Sequence, residues 1–200
     1  VCEIKEGKIY VAPIAGTRGR GKDAIEDVAL ERELLNDEKE LAEHKMLIDL
    51  ARNDIGRVSK PKSVAVKNAM RIVRYESVMH IVSDVYGAKS DDLDAFDAVG
   101  SIFPAGTLSG TPKIRAMEII AELESYKRNA YGGGIGFFHF NGDAQMAILI
   151  RSAIFARKFD AKFDAGRHNP HLDGANEPNL EGGELDGNFA EIFVQAGAGI

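Results

Sequence analysis

Apolar residues recur through positions 37–54 at the spacing of a helix. Along DEKELAEHKMLIDLARND and the residue after it, Met46, Leu47, Ile48, Leu50, Ala51 and Ile55 share one broad face at 3.6 residues per turn. Asp37 is a good N-cap, Glu40 stands three residues on as in a capping box, and the acids Glu38 and Glu40 suit the positive end of a helix. Lys45, Asp49 and Arg52 point the other way, to solvent. Glu43 breaks the pattern, because its direction falls between those of Leu50 and Leu47. A carboxylate on a core face must be met by a cation, a metal or hydrogen-bond donors. Two readings stay open, a buried ion pair with one of the chain's 25 Lys and Arg residues, or a metal ligand.

The same patterning predicts the other elements. The first fourteen residues read as two short strands, VCEI and KIYVAPI, around a turn at Glu6 and Gly7. Residues 24–35 form a helix with Val28, Leu30, Leu34 and Leu35 at its apolar positions. Gly56 and Lys60-Pro61 close the central helix, and residues 63–73 and 77–86 read as strands. In the second, Val78, His80, Val82 and Asp84 face one way, and Met79, Ile81, Ser83 and Val85 the other. Residues 91–101 suit a short helix. A further helix carries Ile114, Met117, Ile120, Ala121 and Leu123, with Thr111 as cap and Pro112 at its first position. IGFFHF, the turn Asn141-Gly142-Asp143, and AQMAILIRSAIF form a hairpin. Its return strand is nearly continuous in apolar residues, which predicts cover on both faces. A polar loop at about 157–188 precedes a last strand from Phe189 to Val194.

Composition narrows the classes. Two hundred residues, 44% of them hydrophobic, suit one domain over 1–200. A net charge of −6 and a pI near 5.4 argue against a general nucleic-acid surface. No apolar run reaches the roughly 18 residues of a membrane span, so no membrane association is expected. The lone Cys2 permits no internal disulfide, and a cytoplasmic setting is expected. A chain that starts in mid-strand without Met reads as part of a longer protein.

Several positions carry chemistry. The glycine- and arginine-rich stretch from Gly16 to Gly21 reads as a loop, either plain surface or a set of backbone donors for an anion; it lacks the spacing and the Lys of a P-loop. His80 is a half-buried structural histidine or an acid, base or donor. Gly106, Thr107, Ser109 and Gly110 run into a helix start, an ordinary capped loop or a carboxylate cradle. Arg151 is a buried ion-pair partner or a bidentate carboxylate clamp. Together with Glu43 they would serve a small dianionic substrate and a bound cation.

In order along the chain, PIAGTR, AEHKMLIDLARNDIGRV, RYESVMHIVSDVYG, FPAGTLSGTPKIRAMEII, YGGGIGFF, AILIRSA and QAGAGI closely resemble the chorismate-utilising enzyme family, and nearest its anthranilate-forming large subunits. The likeness spans roughly residues 10–156 and 192–200. It implies an α+β fold of large antiparallel sheets packed as a sandwich, with helices outside. It implies Glu43 as a direct Mg²⁺ ligand and Glu40 as a water-mediated acid behind it. Thr107 and the backbone of Gly197, Ala198 and Gly199 would hold the ring carboxylate. Tyr131 and Arg151 would bind the enolpyruvyl carboxylate, His80 would stand near the departing C4 hydroxyl, and Gly16 and Thr17 would line the pocket. The implied reaction is Mg²⁺-dependent addition of ammonia to chorismate, giving anthranilate and pyruvate at the first committed step of tryptophan biosynthesis. A glutamine amidotransferase subunit would supply the ammonia.

Departures from the family's pattern refine this. Ala15 stands where aminodeoxychorismate synthases typically carry a nucleophilic Lys, and alanine cannot do that chemistry. Isochorismate or salicylate synthase of the same family is the enzymatic alternative, and a non-catalytic chorismate-fold remnant is the other. The family's large subunits are much longer, and the 157–188 loop replaces a shorter connection. The 200 residues alone are expected to be inactive.

Overall fold

The computed structural model describes residues 2–125, 127–156 and 191–194. Glu6 and Gly7 both take positive φ, 49° and 71°, which matches the twist of a two-residue hairpin turn. That turn joins β1 (Cys2–Lys5) to β2 (Lys8–Val11). After Pro13 the chain resumes as β3 (Ile14–Gly19). β2 and β3 then pair in succession along the same long strand, β5 (Val78–Ala88), while β4 (Ala65–Arg74) also pairs with β5. The hairpin β6 (Gly134–Phe138) and β7 (Ala144–Ile148) joins through β1. The result is a seven-stranded antiparallel sheet in the order β3-β5-β2-β1-β7-β6 with β4 on β5. β8 (Ala153–Ala156) and β9 (Glu191–Val194) form a separate antiparallel pair.

The stretch expected as a Gly/Arg loop is therefore strand as far as Gly19. β5 is long enough to pair both β2 and β3, so Ala15 and Thr17 have ladder partners and Gly16 lies between them. Arg18 is anchored by Glu33 at 2.8 Å and Asp37 at 2.9 Å.

Helices cover one face of the sheet. α1 (Ala24–Asn36) is capped by Asp23, and α2 (Glu38–Gly56) by Asp37, whose carboxylate accepts from the Lys39 and Glu40 N–H groups. α3 (Ala95–Ile102) has a full capping box between Asp94 and Asp97. Ile55, Ala51 and Val58 pack with Ile4, Ile9 and Val85, and Leu34 packs with Met79 and Ile81. Burying such a side chain contributes about 1.5–3 kcal/mol each. Met79, Ile81, Ser83 and Val85 thus form the helix-side face of β5, as the alternation predicts.

Two short elements follow, α4 (Gly106–Ser109) and α5 (Lys113–Leu123). Thr111 does not cap α5; Pro112 is the N-cap residue and no side chain caps that end. The expectation of cover on both faces of the return strand also fails. Burial in β7 alternates, with Ala144 and Met146 inside and Gln145 and Ala147 out, because the core that includes Ala98 and Ile102 of α3 meets only one face. β6 is exposed throughout. Among the described residues no helix is long and apolar enough to cross a membrane.

Asp27 offers a pH test of the α1–β3 junction. The Arg20 guanidinium grips it through Nε and Nη2, and the Gly21 N–H adds a bond at 2.7 Å. These hold its pKa down from 3.8 to about 2, the Arg20 hydrogen bond first and the Gly21 bond second. A depressed carboxyl stabilises above its unfolded pKa and loses that contribution as pH falls through the folded one. Acid unfolding of Asp27→Asn is expected to be flatter than wild type between pH 4 and 2; an unchanged acid limb would contradict the junction.

Candidate active site

The expected site residues fall into two groups. The first lies where β3 meets β5. The register slips between Ala15 and Thr17, so Gly16 forms a bulge with φ +72°. A Cβ there would lie 3.1 Å from both Ile81 Cδ1 and Leu34 Cδ1, and 3.3 Å from Glu40 Oε2. The positive φ favours glycine, and a Cβ would press on these side-chain ends. Beyond the bulge, Thr17 pairs directly with His80. His80 Nδ1 lies 3.0 Å from Thr17 Oγ1 and 3.1 Å from the Gly16 carbonyl oxygen. The Tyr75 ring meets His80 edge-on at 5.6 Å. Thr17 and His80 share the sheet face away from the helices, while Glu40 sits on the helix side, so Gly16 is the point where the two sides meet.

Glu43 corrects the sequence reading. It is exposed on α2, and the buried polar residue there is its neighbour His44. Leu50, seven residues on along the same helical direction, is buried because Gly106 of α4 lies against it. Two turns earlier, about 10 Å along the axis, that direction is open. Glu43 therefore needs no buried cation partner. Glu40 is half-buried, with Oε1 3.9 Å from Arg18 Nη1.

The donor chemistry of this pair fits Mg²⁺, which keeps several waters and takes one or two protein carboxylates beside those of its substrate. Glu43 is accessible and makes no ion pair among the described residues, and Glu40 stands one turn behind it. Among the described residues no group of three or more His, Cys, Asp and Glu converges on one point.

The second group lies around α4. Thr107 is exposed on this short helix. Arg128 donates from Nη1 to the Leu108 carbonyl at 2.6 Å, binds Glu124 through Nε at 2.8 Å, and lies 5.9 Å from the Tyr131 ring centroid. Phe103, Leu108, Met117, Tyr131 and Gly132 help line a cleft of about 670 Å³ beside it. Gly132 N–H donates to the Leu149 carbonyl at 2.9 Å, which brings Tyr131 and Arg151 to the same end of the hairpin. Arg151 does not interrupt a strand. It is exposed in a bend between β7 and β8, with φ +53°. Gly197, Ala198, Gly199 and the 157–188 loop lie outside the described residues.

Two contacts escaped the sequence reading. His44 is fully buried, with Nε2 2.7 Å from Ser83 Oγ, which itself accepts from the Met70 N–H at 2.8 Å. Burial pushes the His44 pKa down, which favours the neutral imidazole. The stripe of His44, Leu47, Ile48, Ala51 and Ile55 was the available signal. Arg128 had little, since Glu124 and Tyr131 are close in sequence but the Leu108 carbonyl is twenty residues away.

Comparison with known proteins identifies the frame that holds these residues. The sequence pattern of the family described as chorismate binding enzyme matches residues 1–166. The chain belongs to this family. It is 60% identical over 151 residues to anthranilate synthase component 1 of Acetivibrio thermocellus, covering 76% of this chain and 31% of that protein. The crystal structure of anthranilate synthase component I from Streptococcus pneumoniae superposes with a TM-score of 0.68 at 47% identity, over 75% of this chain and 32% of that one. A menaquinone-specific isochorismate synthase from Escherichia coli shares the fold, with a TM-score of 0.67 at 18% identity over 76% of this chain and 34% of that one. The chain thus spans about a third of the length of the relatives it matches. The α+β architecture, antiparallel sheet with helices outside, is that of a chorismate binding enzyme.

Proposed function

We propose that this chain carries part of the active site of an anthranilate-forming enzyme, one that takes chorismate and ammonia to anthranilate, pyruvate and water. The observation that carries this reading is the 60% identity over 151 residues to a component 1 relative. Ala15, next to the bulge on β3, agrees with it, since a lysine nucleophile is lacking there.

The residues divide the work by charge. Arg151 and Tyr131, at one end of the hairpin, suit the enolpyruvyl carboxylate. The exposed Thr107 hydroxyl suits the ring carboxylate, a role also proposed for the backbone of Gly197, Ala198 and Gly199. Mg²⁺, when bound, would neutralise that carboxylate and orient the ring. Glu43 would be its direct protein ligand, with Glu40 acting through water. His80 would give a proton to the C4 hydroxyl as its C–O bond breaks and ammonia bonds to C2. Loss of the enolpyruvyl group as pyruvate then leaves the aromatic ring. A glutamine amidotransferase subunit would be the source of ammonia, in a soluble cytoplasmic assembly.

Glu43→Gln in the full-length protein tests the metal assignment. Because Glu43 is exposed, stability in EDTA is expected to stay within about 0.5 kcal/mol of wild type. Mg²⁺-dependent consumption of chorismate is expected to vanish. A large loss of stability in EDTA, with turnover retained at excess Mg²⁺, would refute it.

A further inference from the structure

The His80 ring is held at one nitrogen only. Nδ1 faces two oxygens, the Gly16 carbonyl at 3.1 Å and Thr17 Oγ1 at 3.0 Å. A carbonyl oxygen only accepts, so this contact is a hydrogen bond only when Nδ1 carries the proton. The other tautomer would set a nitrogen lone pair against the carbonyl lone pairs. The threonine hydroxyl can donate or accept, and it therefore follows the choice the carbonyl makes. Among the described residues Nε2 makes no hydrogen bond.

The backbone explains why the carbonyl is there. In regular antiparallel pairing a peptide carbonyl lies in the plane of the sheet, engaged in the ladder. The register shift between Ala15 and Thr17 makes Gly16 the extra residue of a bulge, and its carbonyl faces the imidazole. The positive φ and the nearby Leu34, Ile81 and Glu40 side chains favour glycine there.

We infer that the Gly16 bulge fixes His80 as its Nδ1–H tautomer, and that Thr17 is a positioning residue that acts through His80 rather than a contact to substrate. The catalytic consequence rests on the reading of His80 proposed above; the tautomer does not. Nδ1–H donates to the Gly16 carbonyl in both charge states of the ring. All exchange then occurs at Nε2. The imidazolium gives its Nε2 proton to the C4 hydroxyl, the C–O bond breaks, water leaves, and neutral His80 keeps its Nδ1–H bond. Tyr75, edge-on to the ring, limits its rotation.

Two measurements test this separately. Two-bond proton–nitrogen correlation spectra of the chain with ¹⁵N-labelled histidine resolve its five histidines, and His80→Gln assigns the signal. The expected result at high pH is a protonated Nδ1 and a bare Nε2 for His80; a predominant Nε2–H form would overturn the inference whatever the enzyme's activity. In the full-length protein, Thr17→Val is expected to lower kcat about ten- to hundredfold with KM for chorismate little changed, and Thr17→Ser to restore kcat. A raised KM with unchanged kcat would make Thr17 a substrate contact and overturn its positioning role.

Discussion

Replacing His80 with Gln in the full-length protein is expected to lower kcat by about 10²–10⁴-fold, the usual contribution of one acid–base group. Gln retains an N–H that can reach the Gly16 carbonyl, so the ring's anchor has a substitute. It cannot deliver a proton to a departing hydroxyl. The residue is half-buried at the end of β5 next to the bulge, and its replacement leaves the helix-side core of Met79 and Ile81 untouched. The melting temperature should therefore change little while turnover collapses. Steady-state anthranilate fluorescence together with thermal unfolding reads both effects. A variant with near-normal kcat would remove His80 from the chemistry.

The largest effect on stability is expected at Lys113. Its ammonium is almost buried, 10% exposed, and lies 2.7 Å from an Asp54 carboxylate that is 7% exposed. It also donates to the Ile102 carbonyl at 2.8 Å. One charge thus ties the end of α2, the end of α3 and the start of α5. The Phe103–Pro112 connection that bears Thr107 hangs between two of these anchors. Lys113→Met is expected to cost about 3–5 kcal/mol, because Asp54 is left as an unpaired buried charge. Adding Asp54→Leu should recover most of the loss. Burial already holds the Asp54 pKa above its ordinary value, with Lys113 pulling against it. Without Lys113 it rises further. A carboxyl whose folded pKa is raised favours the fold where it is protonated, so the deficit of Lys113→Met should shrink as pH falls and be full at neutral pH. Urea unfolding at two pH values checks this, and a pH-independent loss under 1 kcal/mol would contradict the buried pair.

The fold was readable where periodicity and caps agreed. The central helix starts at Asp37 and runs to Gly56. The strand containing His80 alternates as its residues require, and Glu6 with Gly7 makes the turn. Long-range cover was not readable. Glu43 and Leu50 share a helical direction, but only Leu50 has α4 against it, so the same pattern position is buried in one case and open in the other. Gly16 to Gly19 carries loop-like residues, yet an unpaired edge on β5 converts it to strand. Arg151 was placed in a strand because its neighbours are apolar, whereas the ladder of β7 ends at Ile148.

The candidate site was legible as a set of residues more than as a geometry. Gly16, Thr17 and His80 do meet, and Tyr131 and Arg151 share one end of the hairpin. Within the first group Thr17 and His80 are 63 residues apart, and no spacing rule connects them. His44 and Arg128 were missed because their partners, Ser83 and Leu108, come from other segments. Family resemblance supplied roles that patterning alone left open.

The function proposed above requires that nitrogen, not oxygen, be added to chorismate by the full-length protein. Incubating it with chorismate, Mg²⁺ and ¹⁵N-labelled ammonia in ¹⁸O-labelled water, then weighing the aromatic or cyclohexadiene product, decides this most directly. The expected product is anthranilate carrying one ¹⁵N and no ¹⁸O, released with pyruvate. A product that carries ¹⁸O and no ¹⁵N, isochorismate or salicylate, would contradict it, and so would chorismate recovered unchanged.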